Sequence, residues 1–264
     1  MSPSPRISPT AGRRRAMTLV EMSISIAVMS MVALSASMLT TTVHDTHVAA
    51  THLNRMTQHG RAACRRIRDA LNRAQANSVF PGFIVRNDLI GGVSLPNTLV
   101  VWAPDVSPSD PTALPLVSEL VVFQPDPDDP RRLVEITDPT DTSTVPELKD
   151  TTSWNTLMTS LENNGKRATL TRYLHFDTDL SGVPMSLIRF TARLRPDQSQ
   201  IDAYIAETAT WDDIYWPQNL YSSASGMREN ECLFEFQLRD DPPAVQDITT
   251  FWGSSAVFYL EPQP

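Results

Sequence analysis

Of the 21 prolines in these 264 residues, none lies between Pro9 and Pro81. Proline breaks a helix interior through its missing N–H and its ring clash. Its absence over this stretch, where Gly60 is the one weak helix former in residues 17–80, predicts a single long helix from about residue 17 to 78. Charge is absent from 22–39 (MSISIAVMSMVALSASML). With Leu19 and Val20 that run is long enough to cross a bilayer. Cysteine is scarce: Cys64 and Cys232 alone, able to pair in an oxidising compartment or to remain as two buried free thiols, since spacing says nothing about geometry. No nucleophile-elbow pattern, phosphate loop, HExxH or CxxC occurs. The sequence thus offers no catalytic arrangement, and neither an enzyme nor a cofactor is expected.

The net charge of −8 is unevenly spread. Residues 1–16 carry Arg6, Arg13, Arg14 and Arg15 and no acid. Residues 44–79 carry six arginines against Asp45 and Asp69, a balance of +4, and residues 80–264 carry 12 basic against 27 acidic side chains, a balance of −15. Such an acidic segment repels phosphate backbones, so no nucleic-acid partner is expected for it.

Four regions follow: a basic leader (1–16), a membrane helix (17–43), an amphipathic stem helix (44–79) and a head (80–264). The leader arginines place the leader in the cytoplasm and the head outside, by the positive-inside rule. Ser23, Ser25, Ser30, Ser35 and Ser37 dilute the apolar run. Small residues suit a helix that packs closely against similar helices in lipid, and an ordinary, slightly polar anchor fits them equally well. In the stem, Leu53, Met56, Gly60, Cys64, Ile67, Leu71 and Ala74 recur at spacings of three and four, one stripe of a helix. The stripe should pack on the sheet of the head. Arg61, Arg65, Arg66, Arg68 and Arg73 fall mostly elsewhere, and Arg66 is expected to be a surface position.

From residue 83 short β-rich runs alternate with Pro and Asp. The expected strands are 83–85, 98–102, 119–123, 133–136, 187–194, 232–238 and 257–260, with residues 124–130 as a hairpin loop. Residues 151–164 read as a helix ended by Gly165. The fold class is α+β, a long N-terminal helix on an antiparallel sheet.

The junction Arg13-Arg14-Arg15-Ala16-Met17-Thr18-Leu19-Val20-Glu21 is the most specific feature. A lone acid at the start of a membrane helix is expensive and needs a partner. The order of a small residue, an apolar residue, Thr, Leu, an aliphatic residue and Glu resembles the processing site of the type IV prepilin family, which includes the pseudopilins of type II secretion. Ala16 replaces the commonest Gly before the cut, and Met17 the commonest Phe after it. The resemblance covers about a tenth of the chain. It implies cleavage between Ala16 and Met17, methylation of the Met17 amine, and an assembly segment of Thr18, Leu19, Val20 and Glu21. Glu21 would then pair with the amine of a neighbouring subunit. It also implies a pilin-like fold, other pilins or pseudopilins, a prepilin peptidase, an inner-membrane assembly platform and membrane lipid as partners, and a periplasmic head. The size of the head is nearest to the larger minor pseudopilins of the J type or minor pilins of the W type.

Other features have plainer readings beside the functional ones. His44 and His47 share a helix face, but His52 and His59 do not complete a four-ligand metal set on it. Asp126, Asp128 and Asp129 suggest calcium, yet EF-hand spacing is absent and a solvated hairpin tip suffices. Trp211, Tyr215, Trp216 and Tyr221, with Asp212 and Asp213, suit either partner contact or packing within the head. Two other classes compete with the pilin reading: a protein whose 17–39 run is a signal peptide, with a poor small-x-small site at Ser35-Ala36-Ser37, and a DNA-uptake filament subunit, which the acidic head disfavours.

Overall fold

The computed structural model describes residues 17–90, 92–108, 110–178, 182–217, 226–239 and 248–260. Its first element is helix α1, Leu19–Asn72, the long helix that the missing prolines predict. The chain divides within α1 into a unit ending at Ala50 and a second from Thr51 onward; the change of character in the sequence had suggested residues 43/44. The helix stops six residues short of the expected 78. The amides of Arg73 and Ala74 tighten onto Ala70 and Leu71, and Gln75 N–H then turns to the carbonyl of Trp102 at 2.9 Å. Asn77 closes the turn by accepting from the amides of Val79 and Phe80. Sheet and side-chain acceptors thus replace the helical ones before the proline is reached.

In the second unit β1 (Phe83–Ile90), β2 (Val93–Trp102), β3 (Leu120–Asp126), β4 (Asp129–Thr137) and β5 (Lys166–Thr171) form an antiparallel meander in chain order. The expected loop 124–130 is shorter than predicted: the strands run to Asp126 and resume at Asp129. β3 pairs with β2 only as far as Phe123, so Pro125, opposite Leu133 of β4, sits where that flank of the strand lacks a β2 partner and a missing N–H does little harm. Short β6 (Phe176–Thr178) and β7 (Pro184–Ser186) form a two-stranded ribbon. A second sheet, in the order β10-β9-β8, is built from β8 (Ile188–Arg195), β9 (Met227–Leu238) and β10 (Thr249–Leu260).

Helix α2, Thr151–Asn164, has the predicted bounds. Asp150 caps it by accepting from the amide and the hydroxyl of Ser153, and Gly165 N–H returns to Leu161 O at its end. A third helix, α3 (Gln198–Ile205), was not anticipated.

The meander is covered on both faces, so β2 and β3 are apolar without alternation. Leu99, Val101 and Phe123 face an inner core with Ile67 and Leu71 of α1 and Phe190, Phe234 and Phe236 of the second sheet. Val100, Trp102 and Val122 face an outer core with Trp154, Met158 and Leu161 of α2. Burying one such side chain stabilises by roughly 1.5–3 kcal/mol. This is the α+β arrangement expected, a long N-terminal helix on antiparallel sheet, with a second sheet added.

Candidate functional site

The chemistry singled out by the sequence lies at the first turn of α1. Thr18 is the N-cap. Its hydroxyl oxygen accepts from Glu21 N–H at 3.2 Å, while Glu21 Oε2 accepts from Thr18 N–H at 2.9 Å and from Thr18 Oγ1 at 3.1 Å. This reciprocal pair is a capping box, and it satisfies two amides that a helix start otherwise leaves open. Among the described residues nothing donates to Oε1 of Glu21, so one carboxylate oxygen faces outward. Met17, Leu19 and Val20 are exposed around it. Ala16 and residues 1–15, read as a leader in the sequence, lie outside the described residues.

Beyond this turn α1 is largely apolar, and every residue through 43 is exposed. By length and composition it is a candidate membrane span. Three of its serine hydroxyls are satisfied locally: Ser23, Ser30 and Ser35 donate to the carbonyls of Leu19, Ile26 and Met31. Those three serines therefore need no partner helix to enter lipid.

The stem residues meet the sheets through a close approach at Gly60 and an ion pair at Arg66. Met56, Gly60, Ala63, Ile67, Ala70 and Leu71 are buried, and Cys64 is half-buried. Leu53, expected on the same stripe, is instead 45% exposed: it lies five full turns before buried Leu71 and on the same face, but ahead of Met56, the first buried residue of the helix. At Gly60 the ring of Phe251 from β10 seats against the helix so closely that an added Cβ would lie 2.2 Å from it. Arg66 is not the surface position expected. It donates from Nε and Nη2 to both oxygens of buried Glu135 on β4, at 2.6 and 2.5 Å. Single-sequence reading had no signal for this pair. A similar surprise is Glu119, which accepts from Trp102 Nε1 at 3.0 Å and from Leu116 N–H at 3.1 Å.

The remaining candidates resolve into packing. Among the described residues no group of three or more His, Cys, Asp or Glu is placed to hold a metal ion. His59 meets Tyr173 edge-on, with centroids 5.1 Å apart. Arginines bracket the acidic turn: Arg167 Nη1 reaches Asp126 and Asp128 at 3.2 and 2.8 Å, and Arg132 reaches Asp129 at 3.0 Å, with Asp128 largely exposed. Trp211 packs on Trp216 and Tyr204 over Ile201 and Ile214, a third small core. Tyr215 points outward, and Tyr221 lies outside the described residues. Both cysteines are free thiols. Burial, with Glu231 adding to it, pushes the Cys232 thiol up to about 12; burial also raises Cys64, against the pull of Arg68.

The chain matches no protein-family model, no curated protein and no solved structure. The long apolar N-terminal helix on antiparallel sheet is compatible with a pilin-like layout.

Proposed function

We propose that this chain is a pilin-like membrane subunit that works by assembly. Its leader is removed between Ala16 and Met17, the Met17 amine is methylated, and the subunit enters a pseudopilus or related type IV filament that serves protein secretion, as a minor component of J or W type. The head stands in the periplasm, and the partners are other pilins or pseudopilins, a prepilin peptidase and the inner-membrane assembly platform. The observation that supports this reading is Glu21, a carboxylate with no cation beside it among the described residues, at the start of an exposed apolar helix. A carboxylate in lipid requires a cation, and the free amine of Met17 on a neighbouring copy is one of matching depth.

The test is the mature N-terminus, determined by mass spectrometry of the membrane-bound protein. A methylated start at Met17 is expected. A start near Met38, or an intact leader in cells that process other prepilins, overturns the assignment.

A further inference from the structure

β10 is a sheet edge of a kind that proteins usually blunt. Among the described residues it forms a ladder with β9 alone. Its sequence, TTFWGSSAVFYL, has neither charge nor proline, the common protections of an edge strand. Gly253, Val257 and Tyr259 turn inward and are buried. On the outward face Trp252 is 77%, Phe258 51% and Leu260 58% exposed. Most of the charges beside them are matched: Arg189 pairs with Glu235 at 2.8 Å, and Arg195 with Glu229 and Glu231 at 3.2 and 3.5 Å, while Arg193 lies on β8, beyond β9 from the edge. At the edge itself the outward face is the apolar column of β10.

We infer that β10 adds antiparallel to β10 of a second copy of this chain, with Ser255 opposite Ser255. The strand has no charge to repel its own copy. Side chains alternate with period two, so only registers that keep the outward faces together are allowed. A two-fold axis at Ser255 sets Trp252 against Phe258 and Thr250 against Leu260, each twice. An axis at Ser254 sets Trp252 against Ala256. An axis at Ala256 leaves Phe258 against Ser254. The register at Ser255 is thus the one that forms two cross-strand aromatic pairs. The exposed column amounts to roughly 300–400 Å² per copy, so the pair buries on the order of 700 Å², below the roughly 1,200 Å² at which stable interfaces begin. The area therefore sets the strength: a weak isologous dimer whose population rises with concentration.

The test uses the full chain in detergent micelles, with mass followed by light scattering against concentration. Wild type should dimerise, and Trp252→Lys, at an exposed position, should raise the concentration of half-dimerisation about tenfold or more while melting like wild type. A second measurement reads the register without touching Trp252. In a Cys64→Ser background, Ser254→Cys and Ala256→Cys chains mixed under mild oxidation should cross-link several-fold more than either alone. A wild type that stays monomeric, dimerisation unchanged by Trp252→Lys, or equal cross-linking in all three samples overturns the inference. So does cross-linking of Ser254→Cys in membranes only to a different protein.

Discussion

Arg66 and Glu135 stand 69 positions apart and hold stem to sheet through two parallel hydrogen bonds. Removing the arginine leaves a carboxylate buried without its cation. A fully buried pair costs about 3–5 kcal/mol to break in this way. Arg66 is 43% exposed, so water screens part of the effect, and Arg66→Ala should destabilise by roughly 1–2 kcal/mol, read as a lower melting temperature. Adding Glu135→Gln should recover most of the loss; a single variant that melts like wild type means the bridge contributes nothing. At Glu21 two roles separate by substitution. Glu21→Gln keeps an oxygen for the Thr18 amide but loses the charge, whereas Glu21→Ala loses both. If pairing to a neighbouring amine drives assembly, both variants should fail to cross-link to partner subunits. If Glu21 serves the cap alone, worth about 1 kcal/mol, Glu21→Gln should assemble normally. Cys232 supplies a pH dependence. Its thiol titrates near 12 in the fold against about 9 unfolded. A raised acid favours the protonated native state, so that contribution is whole below pH 9 and lost as pH rises toward 12. Melting temperatures between pH 8 and 11 should fall more steeply for wild type than for Cys232→Ala.

Elements meet at Gly60, where the Phe251 ring of β10 seats on α1. Alanine there gains about 1 kcal/mol of helix propensity, but its methyl group would press on the Phe251 ring. That ring is stacked on Phe236 with centroids 5.5 Å apart, so it yields reluctantly. Overpacking of this kind costs about 1–3 kcal/mol and should win. Gly60→Ala should lower the melting temperature, and Phe251→Leu in the same chain should restore part of it; a stabilised single variant refutes the close fit. The same elements mark what the sequence disclosed. Proline spacing disclosed α1, and continuous apolar runs disclosed the centres of β2, β3 and β4, because burial on both faces removes alternation. Helix α2 was legible as a run ended by its glycine. Strand β5 was not, since KRATLT at a sheet edge is exposed over its first four residues. Half of β9 was hidden because MRENE places Arg228 and Asn230, rather than apolar residues, in its buried positions. Gly253 and two serines broke the apolar pattern of β10. At the candidate site Thr18 and Glu21 were legible as a motif. Their mutual hydrogen bonds follow from the T-x-x-E spacing, which is the capping-box signature, whereas Arg66 and Glu135, 69 positions apart, carry no such signal.

On the scale of the whole molecule, the boundary at Ala50/Thr51 predicts which fragments stand alone. A chain beginning at Thr51 keeps Met56, Ile67 and Leu71 and should unfold in one cooperative transition. A chain beginning at Arg73 exposes the inner core and should aggregate or lose its near-ultraviolet circular dichroism. Cooperative melting of the shorter chain would falsify the role given to the stem. The two cores also differ in how they are tethered. A pull on the apolar segment is passed along the backbone into residues 51–72, and these rest on the inner core alone; α2 and the outer core lie across the five-stranded sheet from them. Traction on such a subunit would therefore load the Phe251 seat at Gly60 and the Arg66–Glu135 bridge to β4 first, and would reach α2 only through the five-stranded sheet. The head has a grip and a ballast, and the grip feels the rope before the ballast does.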